Sequence, residues 1–132
     1  MGKEQQKNDN ILELSNLPKT WLLDIDGTLV KHNGYLLDGY DTLLEGVRVF
    51  FDNLSPGDKV ILLTARTEKE LPELEKFLAK NKIRYDYLLT DIPMGERILI
   101  NDKKPSGLYT AWSINKDRDG ALDIKYKINE EL

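Results

Sequence analysis

The 132-residue chain contains no cysteine and a single histidine, His32. The first absence excludes disulfides, a thiol nucleophile and a thiolate metal site, and the second excludes a metal site built from several histidines. No segment approaches the ~18 consecutive apolar residues of a membrane span, and residues 1–7 lack the apolar core of a signal peptide. We therefore expect a cytoplasmic protein that does not bind membranes.

The chain also lacks an excess of basic residues. It has 19 Lys and Arg against 23 Asp and Glu, a formal net charge of −4, and no basic block. Because nucleic-acid-binding proteins neutralise phosphates with clustered basic side chains, nucleic acid is not an expected partner. The composition, 40% hydrophobic and 32% charged, is typical of a soluble globular protein with a core of its own.

Three apolar runs in the chain each end in polar residues, and each run predicts a buried strand. The strands are predicted over 21–24, 59–64 and 97–102. Because parallel strands joined by right-handed crossovers end at the same edge of a sheet, their terminal polar residues should lie together. These residues are Asp24, Asp26, Thr64, Asn101 and Asp102.

The remaining pattern alternates helices and strands. Helices are predicted over 43–54 and 73–80, with Pro72 in the first turn or in a short break before it. Further strands are expected over 85–89 and 110–114, and turn signals at Asn33-Gly34 and Asp38-Gly39 predict a small hairpin flap over 31–41. The predicted fold is α/β, a Rossmann-like three-layer sandwich with a mainly parallel central sheet, over residues 19–132. Residues 1–18 are expected to form a tail and a loosely packed lead-in, and the role of 122–128 stays open.

Asp24 and Asp26, one residue apart, end the first run. Two carboxylates this close repel each other, and a divalent cation such as Mg²⁺, which prefers oxygen ligands, would relieve that repulsion. Taken alone, the motif is equally compatible with an acidic turn that only ends a strand.

The sequence resembles the haloacid dehalogenase (HAD) superfamily in three motifs. Residues 24–28, Asp-Ile-Asp-Gly-Thr, resemble the first motif, and residues 62–66, Leu-Leu-Thr-Ala-Arg, resemble the second. Residues 99–102, Leu-Ile-Asn-Asp, resemble the fourth, with Asn in place of the first acid. The resemblance implies a phosphatase in which Asp24 is the nucleophile that forms an aspartyl-phosphate and Asp26 is the general acid and base.

The same resemblance implies the ligands of the metal and of the phosphate. Mg²⁺ would be held by Asp24, the backbone carbonyl of Asp26, and Asp102. The phosphoryl oxygens would be held by Thr64 and by the amides of Ala65 and of the loop from Ile25 through Gly27.

The third motif of the superfamily, a basic residue, has no clear match. Arg97 is the favoured match, with Lys103 and Lys104 as rivals, although Arg97 could equally be a surface charge at a strand edge. Two further residues have both a functional and a structural interpretation, and several others have only a structural one. Asn101 either contacts the metal-bound water or ends the strand, and Arg66 either reaches substrate or is an exposed charge at a helix start. His32 is interpreted as a solvated loop residue, Tyr109 and Trp112 as packing residues, and 117–120 as a simple turn.

The intervals between the motifs leave no room for a large cap domain. The resemblance then implies a substrate that closes the site itself or a homo-oligomer whose neighbour supplies the lid. The run from Gly95 to Pro105 looks similar to small HAD proteins of capsule and surface-polysaccharide gene clusters, which implies a small phosphorylated metabolite, a sugar or polyol phosphate, as substrate. The alternatives are a phosphatase of phosphoprotein or nucleic-acid ends, and a non-catalytic, regulatory HAD-like domain that binds a partner.

Overall fold

The structure is a computed structural model that describes residues 11–132, so the tail predicted over 1–10 lies outside the described residues. The chain divides into two compact units. The central unit consists of Pro18–Met94 and Lys116–Asp123. Of the described residues, the terminal unit contains 11–17, Gly95–Asn115 and Ile124–Leu132. Both are built around parallel strands, which agrees with the predicted Rossmann-like α/β class.

The central unit contains a three-stranded parallel sheet whose strands lie side by side in chain order. Its strands are β2 (Thr20–Asp24), β3 (Lys59–Leu63) and β4 (Tyr87–Leu89). In the register of β2 and β3, Asp24 pairs with Leu63, so both strands reach the same edge of the sheet. The strands predicted over 21–24, 59–64 and 85–89 are therefore confirmed, with β4 shorter than expected.

Three helices accompany this sheet: α1 (Gly34–Leu37), α2 (Val47–Asp52) and α3 (Leu71–Lys80), the last preceded by a 3₁₀ turn over Glu68–Glu70. Pro72 lies in the first turn of α3, where its missing N–H costs no helical hydrogen bond. The core combines apolar side chains of α2, α3 and β3, all of them buried: Val47, Phe50, Phe51, Val60, Leu62, Leu74 and Leu78.

The segment predicted as a hairpin flap contains α1 instead. The Lys31 N–H donates to the Thr42 carbonyl at 3.0 Å, so the segment closes on itself as a loop. Asn33 adopts a left-handed conformation, φ 57°, directly before the helix. The Asn-Gly pair thus starts a helical turn rather than a two-residue hairpin, because no strand pairing extends beyond the single bridge between Val30 and Leu43.

The terminal unit contains β1 (Ile11–Leu14) paired in parallel with β5 (Lys125–Ile128). The predicted lead-in is therefore a strand with buried Leu12 and Leu14, and the open segment 122–128 supplies its partner. The strands predicted over 97–102 and 110–114 do not form, and those two predictions are wrong. The apolar run from Ile98 to Ile100 is exposed, by 80% at Ile98 and 88% at Ile100, because no described strand pairs with it. No helix of residues 11–132 has the length and apolar character needed to cross a bilayer.

Candidate active site

Asp24 is the last residue of β2, and the chain turns sharply directly after it. Thr28 Oγ1 donates to Asp24 Oδ2 at 3.0 Å, and the Leu29 and Val30 amides both donate to the Ile25 carbonyl. Gly27 has a φ of +85°, a conformation that a residue with a Cβ rarely adopts. The motif Asp-Ile-Asp-Gly-Thr therefore folds as a compact loop that holds two carboxylates at the end of the strand.

Asp26 is fixed by two side chains from the end of β3. Thr64 Oγ1 donates to Asp26 Oδ2 at 2.8 Å, and Arg66 donates to Oδ1 through Nε at 3.0 Å and Nη2 at 2.7 Å. The ends of the first two predicted strands thus meet as the parallel arrangement requires. Both oxygens of the Asp26 carboxylate are occupied, so its orientation is set by β3.

Arg66 is the centre of a buried charge network. Besides Asp26, it binds Asp41 in a bidentate ion pair, with Nη1–Oδ2 at 3.1 Å and Nη2–Oδ1 at 2.7 Å, and its Cζ lies 3.8 Å from the ring centroid of Tyr35. Burial works to lower the pKa of Arg66, but the hydrogen bonds and charges of Asp41 and Asp26 more than offset this and raise it. The guanidinium is therefore charged at any physiological pH.

The sequence did not identify this network. The Arg66 side chain is 4% exposed, so its interpretation as an exposed helix-start charge is wrong. Asp41, whose side chain is 7% exposed, and Tyr35 were not recognised as parts of the site. A buried arginine requires a compensating carboxylate, but nothing in the sequence shows which of the many acids supplies it.

Two of the backbone amides predicted to hold phosphate already have acceptors. The Ile25 N–H donates to the Leu63 carbonyl at 3.1 Å, and the Gly27 N–H donates to the Val30 carbonyl at 2.7 Å. The amides of Asp26 and Ala65 have no acceptor among the residues that the structure describes. Of the predicted amides, these two are the ones able to bind an anion.

The turn over 117–120 lies on the loop Asp24–Thr28, the candidate catalytic loop. Lys116 Nζ and the Asp119 N–H donate to the Gly27 carbonyl at 3.1 Å and 2.9 Å, and the His32 N–H donates to Asp119 Oδ1 at 2.7 Å. The Arg118 stem covers Gly27, because a Cβ at Gly27 would lie 3.3 Å from Arg118 Cγ. The segment predicted as a simple turn is thus tied to the loop that carries Asp24 and Asp26.

The other predicted site residues belong to the terminal unit. They occupy an exposed stretch without regular structure: Arg97, Asn101, Asp102, Lys103 and Lys104. Within it, Asn101 Nδ2 donates to Thr110 Oγ1 at 3.0 Å, and Thr110 Oγ1 donates to the Asp102 carbonyl. Lys103 Nζ lies 5.3 Å from the ring centroid of Tyr109. The roles of Arg97, Asp102 and the two lysines stay predictions.

The oxygen atoms of the loop suit a hard cation. Asp24 offers a carboxylate and Asp26 a backbone carbonyl, and Mg²⁺ is commonly bound by one or two carboxylates with water and substrate phosphate completing its shell. Among residues 11–132, no cluster of three His, Cys, Asp or Glu side chains is arranged to hold a metal. The central unit therefore fits Mg²⁺ as a partial site whose shell requires further oxygen ligands.

Comparison with solved structures gives the chain two relatives of known fold. A chain from the structure of the Pnkp1/Rnl/Hen1 complex is 32% identical, with a TM-score of 0.50, over 73% of this chain and 35% of that chain. A chain from the structure of the Pnkp1/Rnl/Hen1 RNA repair complex is 32% identical over 74% of this chain and 32% of that chain, with a TM-score of 0.49. The present chain thus spans about a third of the length of the chains it resembles.

No protein-family model and no curated protein matches the sequence. Membership of the HAD superfamily therefore stays a prediction. The expectation that nucleic acid is not a partner likewise stays a prediction.

Proposed function

We propose that this chain is a Mg²⁺-dependent phosphomonoester phosphatase that works through an aspartyl-phosphate. The observation that supports this most is the pairing of two carboxylates at the end of β2 with different surroundings. Asp24 accepts from the Thr28 hydroxyl, whereas Asp26 is fixed by Thr64 and Arg66. Two carboxylates in distinct environments suit a nucleophile and a general acid and base.

In the first half of the reaction, a carboxylate oxygen of Asp24 attacks the phosphorus. The new bond joins that oxygen to phosphorus, the ester P–O bond breaks, and the leaving oxygen takes a proton from Asp26. Mg²⁺ held by Asp24 and the backbone carbonyl of Asp26 would supply the positive charge that allows an anionic nucleophile to approach an anionic phosphate. The amides of Asp26 and Ala65 bind the phosphoryl oxygens.

In the second half, the Asp26 carboxylate takes a proton from a water molecule, whose oxygen attacks the phosphorus. The bond from Asp24 to phosphorus breaks, inorganic phosphate leaves, and Asp26 is again protonated. Thr64 and Arg66 contribute by fixing the orientation of the Asp26 carboxylate directly after β2.

The substrate expected from the sequence is a sugar or polyol phosphate. A second candidate, the phosphorylated end of an RNA strand, is favoured by one observation. The chain is 32% identical to a chain of the Pnkp1/Rnl/Hen1 complex over 73% of its length, and the second similar chain comes from a structure described as an RNA repair complex.

The first experiment is a phosphate-release assay on a panel of sugar, polyol and nucleotide monophosphates and a 3′-phosphorylated oligoribonucleotide, with Mg²⁺ and with EDTA. We expect release that requires the metal and falls to background in Asp24→Asn. The preferred substrate decides between the two candidates.

The matched control for Asp24→Asn is Asp52→Asn, which changes an exposed aspartate on α2 and should keep full activity. Activity that survives in folded Asp24→Asn would remove Asp24 as the nucleophile. No release from folded, Mg²⁺-supplied protein on any substrate would favour the regulatory alternative, a HAD-like domain that binds a partner.

A further inference from the structure

The segment Lys116–Asp123 returns from the distant end of the chain to the catalytic loop. Three hydrogen bonds join it to Gly27 and His32, and the Leu122 N–H adds a fourth by donating to the Glu45 carbonyl at 2.8 Å. The Leu122 side chain is buried. A solvated turn needs none of these contacts, so the segment is a built part of the site.

Within this segment the two cationic side chains differ in how they are used. Lys116 Nζ donates to the carbonyls of Gly27, Asp117 and Gly120, at 3.1, 2.8 and 2.7 Å. All three of its N–H donors are therefore used in hydrogen bonds that stabilise the turn. The Arg118 guanidinium has no hydrogen bond or ion pair with any residue that the structure describes. Its stem is packed on Gly27, while the residue is exposed.

The other cations around the loop are already engaged. Arg66 is bound by Asp26 and Asp41, and Lys31 Nζ pairs with Asp38 at 2.9 Å. In the described part of the central unit, Arg118 is therefore the cation beside the catalytic loop whose donors remain available. A phosphate dianion that approaches two aspartates needs such a charge, and arginine binds phosphate through two parallel N–H donors.

We infer that Arg118 binds a phosphate group of the substrate and that the turn over 117–120 presents it above Gly27. This inference rests on the proposed phosphatase function and adds to it a residue of the substrate site. The phosphate is either the group transferred to Asp24 or a neighbouring phosphodiester of a longer substrate. Glycine at position 27 helps to place Arg118, because the absence of a side chain there lets the aliphatic part of Arg118 pack on the loop.

The direct test is equilibrium binding of inorganic phosphate in the presence of Mg²⁺, measured by calorimetry. Loss of a charge-assisted contact should weaken phosphate binding about 10-fold or more in Arg118→Gln, and Arg118→Lys should restore part of it as a point charge. Lys80→Gln, which removes an exposed cation at the end of α3, is the matched control and should bind as the wild type does. Thermal unfolding of Arg118→Gln should match the wild type.

Steady-state kinetics distinguish the two sources of phosphate. Equal loss of kcat/KM on p-nitrophenyl phosphate and on a 3′-phosphorylated oligoribonucleotide would assign Arg118 to the transferred group, and loss on the oligonucleotide alone would assign it to a neighbouring phosphodiester. Phosphate binding in Arg118→Gln within twofold of wild type, or a control that weakens equally, would overturn the inference. Arg118-dependent phosphate binding by a protein without phosphatase activity would uphold the anion site and reject the proposed function instead.

Discussion

Two apolar runs of this chain look alike in sequence and differ in structure. Residues 21–23 precede Asp24 and lie in β2, which pairs with β3 in a parallel sheet. Residues 98–100 precede Asn101 and Asp102 and form no strand in the described structure. In the first region Leu23 and the neighbouring Val60 and Leu62 of β3 are buried, whereas Ile98 and Ile100 are among the most exposed apolar residues.

The difference shows that an apolar run that ends in an acid is not sufficient to form a strand. A parallel strand is stable only when a neighbour satisfies its backbone groups and other elements cover its faces. The run before Asp24 has β3 beside it and α2 and α3 in the same unit. The run before Asp102 has no such partner among the described residues.

The largest expected effects come from the acids that end the two runs. Asp24→Asn should reduce phosphate release to background, because the nucleophile is lost. If Asp102 is a metal ligand, Asp102→Asn should instead raise the Mg²⁺ concentration needed for half-maximal activity by about 10-fold or more, with activity partly regained at high Mg²⁺. The measurement is phosphate release across a Mg²⁺ titration.

If Asp102→Asn has the same Mg²⁺ dependence as the wild type, the predicted role of Asp102 as a metal ligand is wrong. That result would limit the chemistry to the first region and leave the acid after the second run without a role. Asp52→Asn, which changes an exposed acid on α2 outside both runs, is the control.

A smaller but clean effect should appear in stability. Leu62→Ala removes a fully buried side chain of β3 and should lower the free energy of unfolding by about 2–5 kcal/mol. Ile100→Ala changes an exposed side chain and should stay within about 0.5 kcal/mol of the wild type. Urea denaturation compares the two, and a large loss in Ile100→Ala would mean that the second run is buried in solution.

The smallest expected effect on stability concerns the start of the helical segment that follows β3, which has no counterpart after Asp102. After β3, Glu70 accepts from the Thr67 N–H at 2.7 Å and from the Thr67 hydroxyl at 2.9 Å, and this starts the helical segment. After Asp102 the chain continues through Lys103, Lys104 and Pro105 without a helix. Glu70→Gln should cost about 0.5–1 kcal/mol.

This cost should depend on pH in a defined direction. The hydrogen bond from the Thr67 amide, with that from its hydroxyl, lowers the pKa of Glu70. The contribution of Glu70 is therefore complete above the pKa of an unfolded Glu, about 4.3, and is lost as the pH falls through the lower folded pKa. The stability difference between wild type and Glu70→Gln, measured by denaturation from neutral pH to pH 3, should shrink on acidification. A constant difference would show that the carboxylate charge is not what matters.

Much of the central unit could be predicted from the sequence. The strands of the sheet, the helix that carries Pro72, and the meeting of Thr64 with Asp26 follow from local periodicity and from the rule that parallel strands end at one edge. The terminal unit could not be predicted in this way. Its β1 and β5 pair residues from opposite ends of the chain, and a short run gives no local sign of which distant run it joins.

The candidate site, too, has features that the local sequence predicts and features that only the folded structure reveals. Local sequence is enough to establish which carboxylates stand at the end of β2, because Asp24 and Asp26 are placed there by the chain directly around them. The burial of Arg66 between Asp26 and Asp41, and the position of the Arg118 turn on Gly27, emerge only in the folded chain. The physical reason is that both contacts join residues far apart in the sequence, and a buried charge or a packed stem depends on neighbours that folding brings together.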